Sequence, residues 1–198
     1  MNEKIHELIG QIQELEEEIE GEIASRRALF HFTLEDRKVR FEREVLAQHK
    51  RLKTGVLRYL AQARLRNLLS APFIYAIFPT LLLIDMMVSA YQWICFPLYG
   101  IPRVQRRDFL VFDRHSLAYL NVIEKINCRY CSYATGLASY IKVVVGLTEQ
   151  YWCPIKHARR LLEAHSRYDR FVDFGDAVAY RKELEAIRQD LRQMESSA

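Results

Sequence analysis

The sequence predicts an all-α protein, and three features carry that prediction. Apolar residues near the N-terminus recur with a helical period, and a long central stretch is almost free of charge. Helix-start and helix-stop residues punctuate the C-terminal half, while no alternating apolar–polar run of useful strand length occurs. These features divide the chain into residues 1–67, an amphipathic helical hairpin or coiled coil; residues 68–101, a membrane-embedded apolar helical segment; and residues 102–198, a small helical C-terminal domain.

In the first region Ile5, Leu8, Ile12, Leu15 and Ile19 alternate spacings of three and four, the seam of a coiled-coil-like helix. Gly10 and Gly21 weaken that helix by about 1 kcal/mol each relative to Ala without ending it. The pattern loses phase around residues 30–33. Thr33 followed by Asp36 resembles a capping box, so a second helix is expected to start there. Charge separates along the same stretch: residues 1–24 hold eight acids and Lys4, net −7, whereas residues 25–69 hold twelve basic and four acidic residues, net +8. A turn near Phe32 sets Glu14, Glu16, Glu17, Glu18, Glu20 and Glu22 against Arg40, Arg43, Lys50, Arg51 and Lys53. The alternative is one unbroken helix that meets a second copy in antiparallel fashion. Exposed ion pairs contribute about 0 to 1 kcal/mol each, so they choose a register rather than hold it. Either way the region reads as an element for homo-oligomerisation or for partner helices.

Between residues 68 and 101 the only formally charged side chain is Asp85. Thirty-four helical residues reach about 50 Å, against about 30 Å for a bilayer core. A single tilted span puts Asp85 near the midplane, at a cost of about 2.5 to 3.5 kcal/mol unless it is paired. A re-entrant hairpin puts it near the tip instead. Arg51, Lys53, Arg58, Arg64 and Arg66 precede the segment, and Arg103, Arg106, Arg107 and Arg114 follow it. Two basic flanks favour two cytoplasmic ends, so membrane lipid is an expected partner and most of the chain is expected on the cytoplasmic side. Tyr75, Tyr91, Trp93 and Tyr99 are candidate interfacial anchors, while Pro79 and Pro97 can bend the helix. A core helix pair hidden inside an oligomer is the water-soluble alternative.

Further on, Asp113 is expected to cap a helix that places Leu117, Leu120, Asn121, Glu124, Cys128 and Cys131 near one face. Gly146 then Thr148 reads as a helix end and a new start, and Pro154 as the first position of a helix running to about His165. Asp176 is expected to cap a last helix carrying Val178, Leu184, Ile187 and Leu191.

The residues with the most chemistry are Cys128-Arg-Tyr-Cys131 and Cys153-Pro-Ile-Lys-His157. Three thiolates and an imidazole can close a tetrahedral zinc site, which would tie helices together and leave no position open for catalysis. Iron or an iron–sulfur centre is the alternative cofactor. Glu124 and Glu149 lie four residues before Cys128 and Cys153, the spacing that points each carboxylate along its cysteine's helix face. There they can orient His157 or join the ligands, or pair with Lys125, Arg129 or Lys156 as ordinary surface acids. A membrane-bound redox or iron-dependent enzyme using the same residues is the runner-up to a non-enzymatic assembly or adaptor protein. Four cysteines without a secretion-type leader fit a reducing setting. An acidic, amphipathic N-terminus is unlike a secretory or transit signal. No nucleic-acid-binding motif accompanies the basic stretch, and no Gly-rich phosphate loop or nucleophile elbow occurs. Nucleic acid and nucleotide are therefore not expected as partners, and no catalytic residue is named.

The run Glu149-Gln-Tyr-Trp-Cys-Pro-Ile-Lys-His-Ala-Arg159, with Asn127-Cys-Arg-Tyr-Cys131 and Tyr91-Gln-Trp-Ile-Cys-Phe-Pro97, is similar to a group of uncharacterised bacterial membrane-associated proteins. The resemblance spans roughly residues 70–180. It implies a bacterial inner-membrane setting and brings no activity with it.

Overall fold

The computed structural model describes residues 3–29, 32–35, 38–41 and 43–194. The chain is predominantly helical, with one short β-hairpin and one isolated β-bridge among the described residues. It divides into two compact units, residues 1–62 with 113–126 and residues 63–112 with 127–198.

The first unit opens with α1 (Glu3–Leu29), 27 residues that pass through Gly10 and Gly21 unbroken. A β-hairpin follows, β1 (Phe32–Glu35) against β2 (Lys38–Phe41), so the helix expected from Thr33 is corrected. Thr33 pairs with Arg40 in the sheet, and Asp36, the other half of the expected cap, lies outside the described residues. The register sets Phe32 opposite Phe41, Leu34 opposite Val39 and Glu35 opposite Lys38. The two-residue alternation of the sequence here suits a strand better than a helix. α2 (Arg43–Arg51) and α3 (Val56–Gln62) come next. α2 keeps Glu44 in its first turn and His49, Lys50 and Arg51 in its last, the order its dipole prefers.

The start of α6 (Val122–Trp152) belongs to the same unit. Asn121 Oδ1 accepts from the Glu124 amide at 3.0 Å, and Glu124 accepts from the Asn121 amide at 2.8 Å, a reciprocal cap. Asp113 does not open this helix as expected; it precedes a short 3-10 turn, Arg114–Ser116.

The second unit contains α4 (Leu65–Ala76), α5 (Phe78–Tyr99), the body of α6 and α7 (Ala177–Gln193). α4 and α5 meet at Ile77, which keeps right-handed helical angles, φ −74° and ψ −22°. Pro79 has no amide hydrogen to extend the ladder across that joint, and the chain continues there without reversing. The re-entrant hairpin with Asp85 at its tip is thereby corrected, because Asp85 sits inside α5. α6 also runs through Gly146 and Thr148, where a helix end was expected. A Cβ on Gly146 would stand 2.7 Å from the His165 ring, so the glycine is there for close packing. Thr148 spends its hydroxyl on the Val144 carbonyl at 2.9 Å, inside the helix. The helix expected from Pro154 is absent. Instead, Pro154 is buried beside a parallel bridge, with Val172 N donating to Pro154 O and Lys156 N to Val172 O, both at 2.8 Å. Asp176 caps α7 as expected, accepting from the Ala179 amide at 2.8 Å. Leu191 of α7 is fully buried with Phe96, Leu137 and Val144, whereas Val178 is exposed.

Candidate membrane-contact face

α5 is built with its polarity reversed. Its side chains facing the protein include Asp85, Ser89 and Gln92, while beyond its first turn (exposed Phe78, Pro79 and Thr80) its outward residues are Leu82, Leu83, Met86, Met87, Ala90, Trp93, Ile94, Pro97 and Leu98. No outward position carries a charge or an amide. Met86 is 63 % exposed, Trp93 66 % and Leu98 75 %, far beyond what a water-soluble core helix leaves open. α4 is more open still: apart from half-buried Ala71 it is exposed on every side, with Leu65, Leu69 and Phe73 uncovered. By length and composition the run Leu65–Tyr99 is long and apolar enough to cross a membrane, with mean hydropathy 1.9 and only 6 % of its apolar window buried. That low burial disposes of a core helix covered by its own chain.

The inward polar residues hold a return strap. Gly100 ends α5 in the left-handed region at φ 66°, and the Ile101 amide donates back to Phe96 O at 2.9 Å. Residues 101–108 then run back along the helix. Gln92 treats Val104 as a strand partner, accepting from its amide at 2.8 Å and donating to its carbonyl at 3.1 Å, with a third bond to the Tyr140 hydroxyl at 3.1 Å. Further back, Arg106 grips Asp85 with both arms of its guanidinium, Nε to Oδ1 at 2.9 Å and Nη2 to Oδ2 at 2.5 Å. Tyr133 donates to the same carboxylate at 2.8 Å and Ser89 at 3.4 Å. Burial, then the bond to Asp85, pushes the Tyr133 hydroxyl up to about 12, so it remains a donor at neutral pH. Asp85 is therefore a structural clamp in this unit, and Arg106, Tyr133 and Ser89 are the partners that sequence reasoning missed, as is the bonding of Gln92 to Val104 and Tyr140. Arg106 had been visible only as one basic residue of a flank.

α6 runs beside α5 in the same direction, with Phe78 against Tyr133, Gln92 bonded to Tyr140, and Tyr99 stacked on Tyr151 at 4.8 Å. The strap fits between them because Gly136 has no side chain; a Cβ there would meet the Phe109 carbonyl oxygen at 2.5 Å. Outward residues of the strap are charged or polar, Arg103, Gln105, Arg107 and Asp108, whereas the outward side of α6 mixes Arg129, Ser139 and Lys142 with exposed Ile126, Val145 and Trp152. Carrying Arg103, Arg107, Arg129 and Lys142 to the middle of a bilayer costs about 2.5 to 3.5 kcal/mol for each. Covering a large outward side chain of α5 returns about 1 to 2 kcal/mol. The uncharged face of α5 is thus backed by a strap and a helix that both carry exposed charge.

A second polar cluster joins the C-terminal elements. Fully buried Gln150 donates to Ile187 O at 3.2 Å and to Asp190 at 3.1 Å, and accepts from Arg167 Nε at 2.7 Å. Asp190 is also bonded to Arg167 and held by Arg170 at 2.5 and 2.6 Å. Burial raises the Asp190 carboxyl, but the Arg170 hydrogen bond and the Arg167 charge outweigh it, so the group titrates below its ordinary 3.8. Glu149 pairs with His165 at 3.2 Å rather than with Lys156, which reaches Asp173 at 2.9 Å.

The four expected metal ligands do not converge. Cys128 and Cys131 lie near the start of α6 and Cys153 just past its end, about 36 Å along a continuous helix at 1.5 Å per residue. A zinc ion holds its ligands within about 2.3 Å, so one cation cannot bridge that distance. His157 is exposed, its ring stacked over Tyr168 and its amide bonded to that hydroxyl at 2.6 Å. Glu124 is used up as a helix cap. Among the described residues no three His, Cys, Asp or Glu side chains are placed to share a metal ion. None of the four cysteines is in a disulfide. The donor set as placed does not fit zinc, iron or an iron–sulfur cluster. No family model, curated protein or solved structure matches this chain.

Proposed function

We propose that this protein is a non-enzymatic, membrane-anchored assembly or adaptor protein. The observation that carries the reading is the reversed polarity of α5, with acid, hydroxyl and amide turned inward and nine apolar residues turned outward. Lipid is the covering that asks for no hydrogen bond from that face. α1 supplies the recruiting element: exposed Ile12, Leu15 and Ile19 continue the heptad seam between exposed acids. A basic amphipathic helix, from a partner or a second copy, matches that stripe in charge. Basic residues before and after the apolar run, with the resemblance to bacterial membrane-associated proteins, favour the cytoplasmic side of a bacterial inner membrane.

The test is flotation of the purified chain with vesicles of phosphatidylcholine and phosphatidylglycerol. The wild type is expected to float. Met87→Glu with Ile94→Glu is expected to lower the floating fraction at least tenfold while the helical circular-dichroism signal is retained, since each buried charge costs about 2.5 to 3.5 kcal/mol at full depth. A wild-type chain that stays at the bottom of the gradient as a soluble oligomer overturns the reading.

A further inference from the structure

We infer that the apolar rod lies in the plane of one leaflet and does not cross the bilayer, an inference that rests on the membrane reading above. Three placements lead there. α4 is exposed over most of its surface, but its last turn is tied to α6, with Tyr130 donating to Ile74 O at 2.8 Å and Tyr75 bonded to Asn127, and its twelve residues reach about 18 Å, short of a core of about 30 Å. α5, with 22 residues, is long enough, yet Asp85–Arg106 and Gln92–Val104 bind an extended strap along its inner side. α6 then accompanies it in the same direction from Phe78 to Tyr99.

Sending α5 across would take the strap and α6 with it. The strap is irregular backbone from 101 to 105 and closes in a single 3-10 turn, Arg106–Asp108, with Arg103, Gln105 and Arg107 open to the surroundings. Backbone of that kind is tolerated at membrane depth only inside protein or beside water. Lying flat removes the conflict. The outward face of α5 and the body of α4 sink among the acyl chains, while strap and α6 stay on the aqueous side of the rod. In this pose Arg103 and Arg107 sit at headgroup level, the right charge for anionic phospholipid. Ser70, Tyr75 and Thr80 are the hydroxyl residues from 68 to 84, all tolerable at shallow depth.

Depth along α5 decides the matter, because a flat helix has one depth and a crossing helix has many. The two tryptophans are Trp93 and Trp152, so Trp152→Phe leaves a single reporter on the outward face. Two companions in the Trp152→Phe, Trp93→Phe background carry Met86→Trp or Leu98→Trp. Each full-length variant is mixed with vesicles of phosphatidylcholine and phosphatidylglycerol, the phosphatidylcholine brominated at a high or a low chain position. The expected result is stronger quenching by the high position for all three reporters, at a common depth of about 5–10 Å below the headgroups. Positions 86 and 98 are twelve residues apart, about 18 Å along the axis. Depths differing by most of that length overturn the flat pose while leaving the membrane reading intact. Failure of all three to float overturns the membrane reading itself. Flotation of the Trp93 reporter with no quenching from either position, a face covered by a second copy, overturns the flat pose. Variants that lose the helical circular-dichroism signal are replaced by Leu83→Trp and Ile94→Trp on the same face.

Discussion

α1 and α5 both show large apolar side chains to the outside, and the contrast between them indicates what each needs. On α1 the exposed residues Ile12, Leu15, Ile19 and Ile23 form a narrow stripe, with Glu14, Glu16, Glu17, Glu18 and Glu20 exposed around it. A stripe of that width fits one facing helix, and the acids on its borders would be costly in lipid. On α5 the outward side from Leu82 to Leu98 holds nothing polar, and Asp85 and Gln92 are consumed on the inner side by Arg106, Tyr133 and Val104. Such a face fits a continuous apolar medium. On the proposed reading, one helix exposes apolar residues in water to meet a protein, and the other exposes them to meet acyl chains.

Several measurements sharpen or break this contrast. Asp85→Asn should act on the inner face alone: it deletes the bidentate grip on Arg106, at a cost of about 1–3 kcal/mol, kept modest because Arg106 is half exposed. A lower melting temperature and faster proteolysis in residues 101–108 are expected, with flotation retained. Loss of flotation without loss of stability would mean that Asp85 belongs to the contact face after all. The C-terminal clamp gives a pH signature. Asp190 titrates below its ordinary 3.8, so its stabilisation is present above that value and is lost as pH falls through the lower folded value. Melting curves should therefore shift downward below about pH 4, and Asp190→Asn should flatten that slope. Reversing Arg103 and Arg107 to Glu should weaken binding to anionic vesicles by about 1 kcal/mol per residue, roughly fivefold each, and less in high salt. Equal binding to neutral and anionic vesicles would remove the strap from the headgroup region. The smallest effect is expected from Leu15→Asp with Ile19→Asp on α1, which should leave flotation unchanged while reducing capture of a basic amphipathic peptide. A flotation defect there would erase the distinction between the two helices.

Much of the helical framework was legible because its signals are local. The heptad seam announces α1, the almost uncharged run announces α4 and α5, and Asp176 announces α7 one turn ahead of the amide it caps. The misreadings arose where a local signal had a longer-range use. Gly146 looks like a helix end, yet it is a seat for the His165 ring; Pro154 looks like a helix start, yet it lies beside a bridge to Val172. The hairpin at Phe32–Phe41 did carry its alternation, four residues to a side, but the surrounding helical period masked it.

Amino-acid order by itself determined that the chain is mostly helical and that one segment is greasy enough for lipid, since period and hydropathy depend on neighbours a few residues apart. Only the tertiary structure decided that Asp85 has a partner twenty-one residues on, that α5 and α6 run the same way around a return strap, and that Cys128 and Cys153 stand at opposite ends of one helix. Those outcomes turn on where the chain reverses, at Gly100, and where it does not, at Gly146. A glycine's lack of a side chain permits both, and packing chooses.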